Sequence, residues 1–256
     1  MGLLFVAGEP APTTDGMAWA VLAGVVGIVG LGCLFLALSR SAMGIVAPLA
    51  ALMGAAIPAL VGILGGDPLN ATLAVGMLAA LGAIVVMALP EGIGGRPVVP
   101  AFHGSRPVEW LLILGAGLGS ATFYLATDRA HAAGLGVATT LIGVRLASLA
   151  TVIAGLALAA TRARRSGARS PVRITRLAVV LGAVASLGDT FGTVAYLQAT
   201  TVGVLSVTVV LASFAPIGTA ILARLVLHER LSPVRLIGVG LAVGGAALIA
   251  LGAAGG

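Results

Sequence analysis

Of 256 residues, 59% are hydrophobic and 9% are charged, whereas a soluble domain carries about a quarter charged side chains. Eight acids and fourteen bases cannot wet a globule of this size, which excludes the soluble classes and leaves lipid as the medium for the surplus apolar surface. The net charge of +6 does not point to nucleic acid, because the bases fall between apolar runs and not on one soluble face.

The opening residues 3–7 form a short apolar stretch without a basic flank, which is not a secretory signal. Eight apolar runs follow, near 17–38, 43–65, 70–89, 109–127, 136–160, 177–198, 203–224 and 234–252. Each approaches the roughly 20 residues that a transmembrane helix needs. Backbone polar groups in hydrocarbon must be satisfied internally, and these runs are about twice the length of a barrel strand, so helices are expected. The fold class is therefore all-α: a polytopic membrane helix bundle of about eight transmembrane helices.

Glycine is abundant, at 38 residues, and small residues let helices approach closely in lipid. Gly24, Gly27 and Gly30 in the first run, Gly115 and Gly119 in the fourth, and Gly240 and Gly244 in the last read as packing positions. Pro48, Pro58 and Pro216 lie inside apolar runs, where each removes a backbone hydrogen bond and predicts a helix bend. Such bends serve either gating or plain packing. Trp19 and Trp110 begin their runs as interfacial anchors do. The single cysteine, Cys33, can form no internal disulfide.

All the bases are arginine. Twelve fall on one set of alternate loops, six of them in 161–176, and one, Arg129, falls on the other set. Positively charged loops stay inside, which predicts a multi-pass protein of the plasma membrane with loop 161–176 cytoplasmic and both termini outside. That loop would rest on anionic lipid.

The fourteenth arginine, Arg145, lies within the fifth run, and Asp189 lies within the sixth. Charges at membrane depth are costly and mark pathways. Neighbouring helices run antiparallel, so each residue is about nine positions, or about 14 Å, from the same face. The two are expected to pair or to share a cavity, either binding a polar solute group or relaying a proton, or else fixing the packing of the two helices. Tyr124, Tyr196 and Gln198 are candidates for lining a vestibule, or aromatic anchors at the interface.

The chain also resembles itself. Ala37, Val46 and Pro58 match Ala195, Val204 and Pro216 at an offset of 158, and Asp67, Leu69, Gly76 and Gly82 match Glu229, Leu231, Gly238 and Gly244 at 162. Copies five spans apart have opposite orientation, which is the inverted repeat of secondary transporters.

The stretch Leu231-Ser232-Pro233-Val234-Arg235-Leu236-Ile237-Gly238, preceded by His228-Glu229-Arg230 and by Ala215-Pro216, resembles the end of EamA-type transporters of the drug/metabolite transporter superfamily. Ala37-Leu38-Ser39-Arg40, Val46-Ala47-Pro48 and Pro58 are similar to that family's fourth-helix region. The resemblance implies ten helices in two inverted five-helix repeats. Against it, this chain is expected to lack the first two, giving an incomplete inverted repeat of three plus five helices. Residues 1–89 would form the truncated first repeat, 90–107 a linker rich in Gly and Pro, and 108–256 the second repeat.

The expected function is secondary transport of a small metabolite or drug-like solute by alternating access. A non-transporting subunit or an inactive fragment is the alternative. No phosphate-cradling loop with lysine is present, so ATP is not expected to supply the energy. His103, His131 and His228 are scattered, no catalytic spacing is seen, and no enzyme activity, cofactor or metal is expected. The expected partners are the lipid bilayer and a small-molecule solute, not nucleic acid, and a homodimer is compatible with the sequence.

Overall fold

Within the described residues the apolar runs fold as helices. The computed structural model describes residues 8–40, 43–88, 107–165, 176–212 and 233–254. They form α1 (Thr14–Arg40), α2 (Met43–Leu64), α3 (Ala71–Ala88), α4 (Pro107–Ala132), α5 (Val137–Arg165), α6 (Arg176–Val202), α7 (Leu205–Ala212) and α8 (Pro233–Ala254). Among the described residues there is no strand. Among the described residues three helices, α1, α4 and α5 up to Arg162, are long and apolar enough to cross a membrane by length and composition, and shorter apolar helices cover Leu49–Leu64, Ala71–Val86 and Leu236–Gly252. Several helices exceed the expected runs, notably α5, which continues to Arg165, and α6, which continues to Val202. Pro216, Glu229, His103, His228, most of the linker 90–107 and residues 166–175 lie outside the described residues.

Large apolar side chains are left uncovered along the helices, among them Phe35 at 61%, Leu78 at 70% and Phe191 at 74% exposure. Scattered apolar exposure is normal for soluble proteins, but near-continuous exposure along whole helices is not, and hydrocarbon is the medium that accepts it.

Contacts divide the chain into two compact units: residues 1–28 with 126–202, and residues 29–125 with 203–256. In the second unit α3 and α8 pack antiparallel with their backbones close. A Cβ added at Gly76 would lie 2.8 Å from Ile249 N, and one at Gly245 would lie 2.8 Å from Ala80 N. Asn70 fixes the register: its Oδ1 accepts from Leu73 N at 2.8 Å, capping α3, while its Nδ2 donates to Gly252 O at 2.8 Å at the end of α8. Ala59, Leu73, Met77, Ala80, Val210 and Ile249 form the core between α2, α3, α7 and α8. The α2 helix is continuous through Pro48 and Pro58, and the Pro58 ring is fully buried.

At the end of α2, Gly66 adopts φ +106°, its N–H bonds Ile63 O, and Asp67 N bonds Gly62 O. This is a Schellman stop. It delivers the Asp67 carboxylate to the start of α7, where Oδ2 accepts from Ser206 N at 2.9 Å. In the first unit α1 and α5 run parallel. Gly24 lies against Val144, and Ser148 Oγ donates to Gly24 O at 2.9 Å.

The glycines of α8 give a direct check. A Cβ at Gly244 would meet open space, whereas one at Gly245 would press on backbone. Among the described residues Gly245 is therefore a contact glycine, as is Gly252 beside Leu73 N, whereas Gly240 and Gly244 meet nothing within 4 Å. Gly245→Ala should destabilise the detergent-solubilised protein by about 1–3 kcal/mol, the usual cost of overpacking, while Gly244→Ala should leave Tm unchanged. A thermal shift assay on both variants separates the two cases.

Candidate functional site

The pair anticipated at membrane depth is formed. Arg145 stands in the third turn of α5 and Asp189 midway along α6. Arg145 Nη1 lies 2.7 Å from Asp189 Oδ2. Arg145 Nη2 donates to Thr193 Oγ1 at 3.1 Å, and that hydroxyl in turn donates to the Asp189 backbone oxygen at 2.8 Å. The third guanidinium group, Nε, is buried with no partner among the described residues.

The arrangement thus joins two helices through one ion pair and one hydroxyl, with hydrogen-bonding capacity left over on both sides. The carboxylate uses one of its roughly four acceptor sites on the arginine. Side-chain exposure is 39% for Arg145 and 65% for Asp189. A sealed structural pair would be covered, because an uncompensated charge facing hydrocarbon costs several kcal/mol. An aspartate this open can reach a polar group of a solute or a water molecule.

Thr193 belongs to a longer feature. Asp189, Thr193, Tyr196 and Thr200 follow at steps of four, three and four residues, which places them on one face of α6. Tyr196 is buried at 7% exposure, and Thr200 Oγ1 lies 3.1 Å from His131 Nδ1. Gln198 falls off this face and is exposed. Tyr124 is half-buried, its ring edge-on to Phe123 with centroids 5.5 Å apart. The sequence-derived set therefore resolves into a joined pair, Arg145 and Asp189, with Tyr196 on the same face of α6 as the aspartate.

Three residues of this unit escaped the sequence reading. His131 and Thr200 line a cavity of about 480 Å³ at the end of α4, together with Pro10, Asp128, Val137 and Thr201. Glu9 caps α5: its carboxylate accepts from Ala138 N at 2.7 Å, from Thr139 N at 2.9 Å and from Thr139 Oγ1 at 2.6 Å. The α4–α5 turn uses the same stop as α2, with Gly134 at φ +84° and Leu135 N bonded to Ala130 O. Glu109, only 6% exposed, sits in the first turn of α4, where the helix dipole favours an acid.

The model of the EamA-like transporter family matches residues 107–251, more than half of the chain. The chain belongs to the EamA-like transporter family. It is accordingly a membrane transporter of the drug/metabolite transporter superfamily, and its family is one of transporters and not of enzymes. Among solved structures, one titled "Crystal structure of protein" aligns with a TM-score of 0.62 at 18% identity, covering 98% of this chain and 92% of that one, a likeness of fold. No curated protein matches.

The Glu9 cap gives this EamA-like protein a pH dependence. Burial pushes the carboxyl up, but the Thr139 hydroxyl, the Ala138 and Thr139 amides and the charge of His131 outweigh it and hold the group below its ordinary 4.5. A lowered folded value contributes stability that is complete above the unfolded value and is lost as pH falls through the folded one. Glu9→Gln should therefore melt below wild type at pH 7, with the two melting temperatures converging as the pH drops under about 4.5. Parallel thermal melts from pH 7 to pH 3 check this.

Proposed function

We propose that the protein is a secondary transporter that moves a small metabolite or drug-like solute by alternating access between two inverted repeats, with the Arg145–Asp189 pair as its polar contact for the solute. The observation that carries this reading is the open ion pair on two apolar helices, with Asp189 65% exposed and with an Arg145 Nε that has no partner among the described residues. In transporters of this architecture the solute site lies near the midplane at helices that meet there, and charges at that depth line pathways. The lack of a phosphate-cradling loop supports a gradient as the energy source. Pro48, Pro58 and Pro216 are the positions at which helices would bend as access alternates. The twelve-to-one distribution of loop arginines supports a plasma-membrane location with loop 161–176 in the cytoplasm.

The test is counterflow in proteoliposomes with labelled amino acids, nucleobases and organic amines. At least one class should exchange. Arg145→Ala and Asp189→Asn should each lower its flux by roughly 10- to 100-fold, the loss of one charged hydrogen bond of about 1.5–3 kcal/mol. The reversed pair, Arg145→Asp with Asp189→Arg, should remain inactive although folded. Wild-type flux in the reversed pair would make the pair a structural strut and defeat the proposal.

A further inference from the structure

The cavity at the end of α4 holds a group that solute binding at Arg145 and Asp189 does not use. His131 stands in the last turn of α4. Its Nδ1 is 3.1 Å from Thr200 Oγ1. A hydroxyl has one proton to give, and Thr200 gives its own to Leu197 O at 2.8 Å. Thr200 Oγ1 is therefore the acceptor, and His131 Nδ1 carries the hydrogen. In the neutral ring Nε2 is then the bare lone pair. That Nε2 is buried and has no partner among the described residues. A buried acceptor left without a donor costs free energy, so the site calls for a hydrogen, from cavity water, from a solute or as a proton.

Burial works against a charged ring and outweighs the two charges that reach it, Asp128, one turn back on the same helix, and Glu9 from the segment before α1, both acidic and both favouring the proton. The next residue, Arg129, is exposed. From α5 and α6 the cavity is lined by Val137, Thr200 and Thr201, none of which titrates in the physiological range. The C-terminal turn of a helix also stabilises a cation. The hydrogen-bond partner of the ring, Thr200, stands on the face of α6 that carries Thr193 and Asp189 eleven residues away.

We propose that His131 is a proton-binding residue, taking up a proton at its buried Nε2, and that its charge state sets the pH dependence of flux past the Arg145–Asp189 pair. Only N–H and O–H bonds form and break: water or hydronium gives the proton and takes it back. Proton uptake stands on the ring geometry alone, whereas the link to flux rests on the transport reading.

The experiment is ¹⁵N NMR of histidine-labelled protein in nanodiscs, titrated between pH 5 and 8. Only three histidines are present, and loss of a signal in His131→Gln assigns the ring. The expected result is the Nδ1–H form when neutral and one protonation step inside this range. Asp128→Asn should move the midpoint down, and Thr200→Val should release the Nδ1–H preference. A ring that holds Nε2–H, or that stays neutral to pH 5, overturns the proposal. In counterflow, His131→Gln should flatten the pH profile, and an unchanged profile overturns the link to flux. If the ring titrates as expected but no solute of the panel moves, the transport reading fails and the link with it, while proton uptake at His131 stands.

Discussion

An arginine and an aspartate set within two apolar helices are the constraint around which the first unit is arranged. Neither charge is tolerable alone at membrane depth, and together they are tolerable only if their remaining hydrogen-bonding capacity meets something polar. Thr193 meets part of it by accepting from Arg145 while donating to the backbone of Asp189. The rest is open. This combination joins α5 and α6 and leaves hydrogen-bonding capacity on both charged groups, which is why the pair is proposed as the solute contact.

The helix ends answer the same scarcity of water. The first N–H groups of a helix need acceptors, and here two of the acceptors come from distant parts of the chain and a third is local. Glu9 serves α5, Asp67 serves α7, and Asn70 serves its own α3 while tying down the last turn of α8. Two of these devices follow the same local logic: a left-handed glycine ends a helix, and the chain that leaves it meets an incoming carboxylate or carries one. Each carboxylate sits where the dipole favours it. Neither Glu9 nor Asp67 needs a metal or a ligand to account for its charge.

The helices were legible because hydrocarbon imposes an unbroken apolar run on each, and composition alone displays such runs. Arg145 and Asp189 were legible for the complementary reason: a charge inside such a run stands out, and the antiparallel order of neighbours brings the two to similar depth. What could not be read was which face of each helix meets which neighbour. Gly244 and Gly245 are equivalent in composition, but only Gly245 meets the α3 backbone. Glu9 and Asp67 act 129 and 139 residues away from their own positions, and no local spacing encodes such a partner. His131 looked like one of three scattered histidines. The steps from Asp189 through Thr193 and Tyr196 to Thr200 were the available clue, since they trace one face of α6 to the ring.

The central claim is that one polar face within this lipid-embedded bundle opens to water while neighbouring exposed positions face hydrocarbon. Single cysteines placed in a Cys33→Ser background test it most directly, by labelling membranes with a water-soluble maleimide. Thr193→Cys, beside the ion pair, should react, because the thiolate forms where water reaches it. Phe191→Cys, on a position 74% exposed in the protein alone, should stay unlabelled. Equal labelling of both sites, or none at Thr193→Cys, would contradict the account.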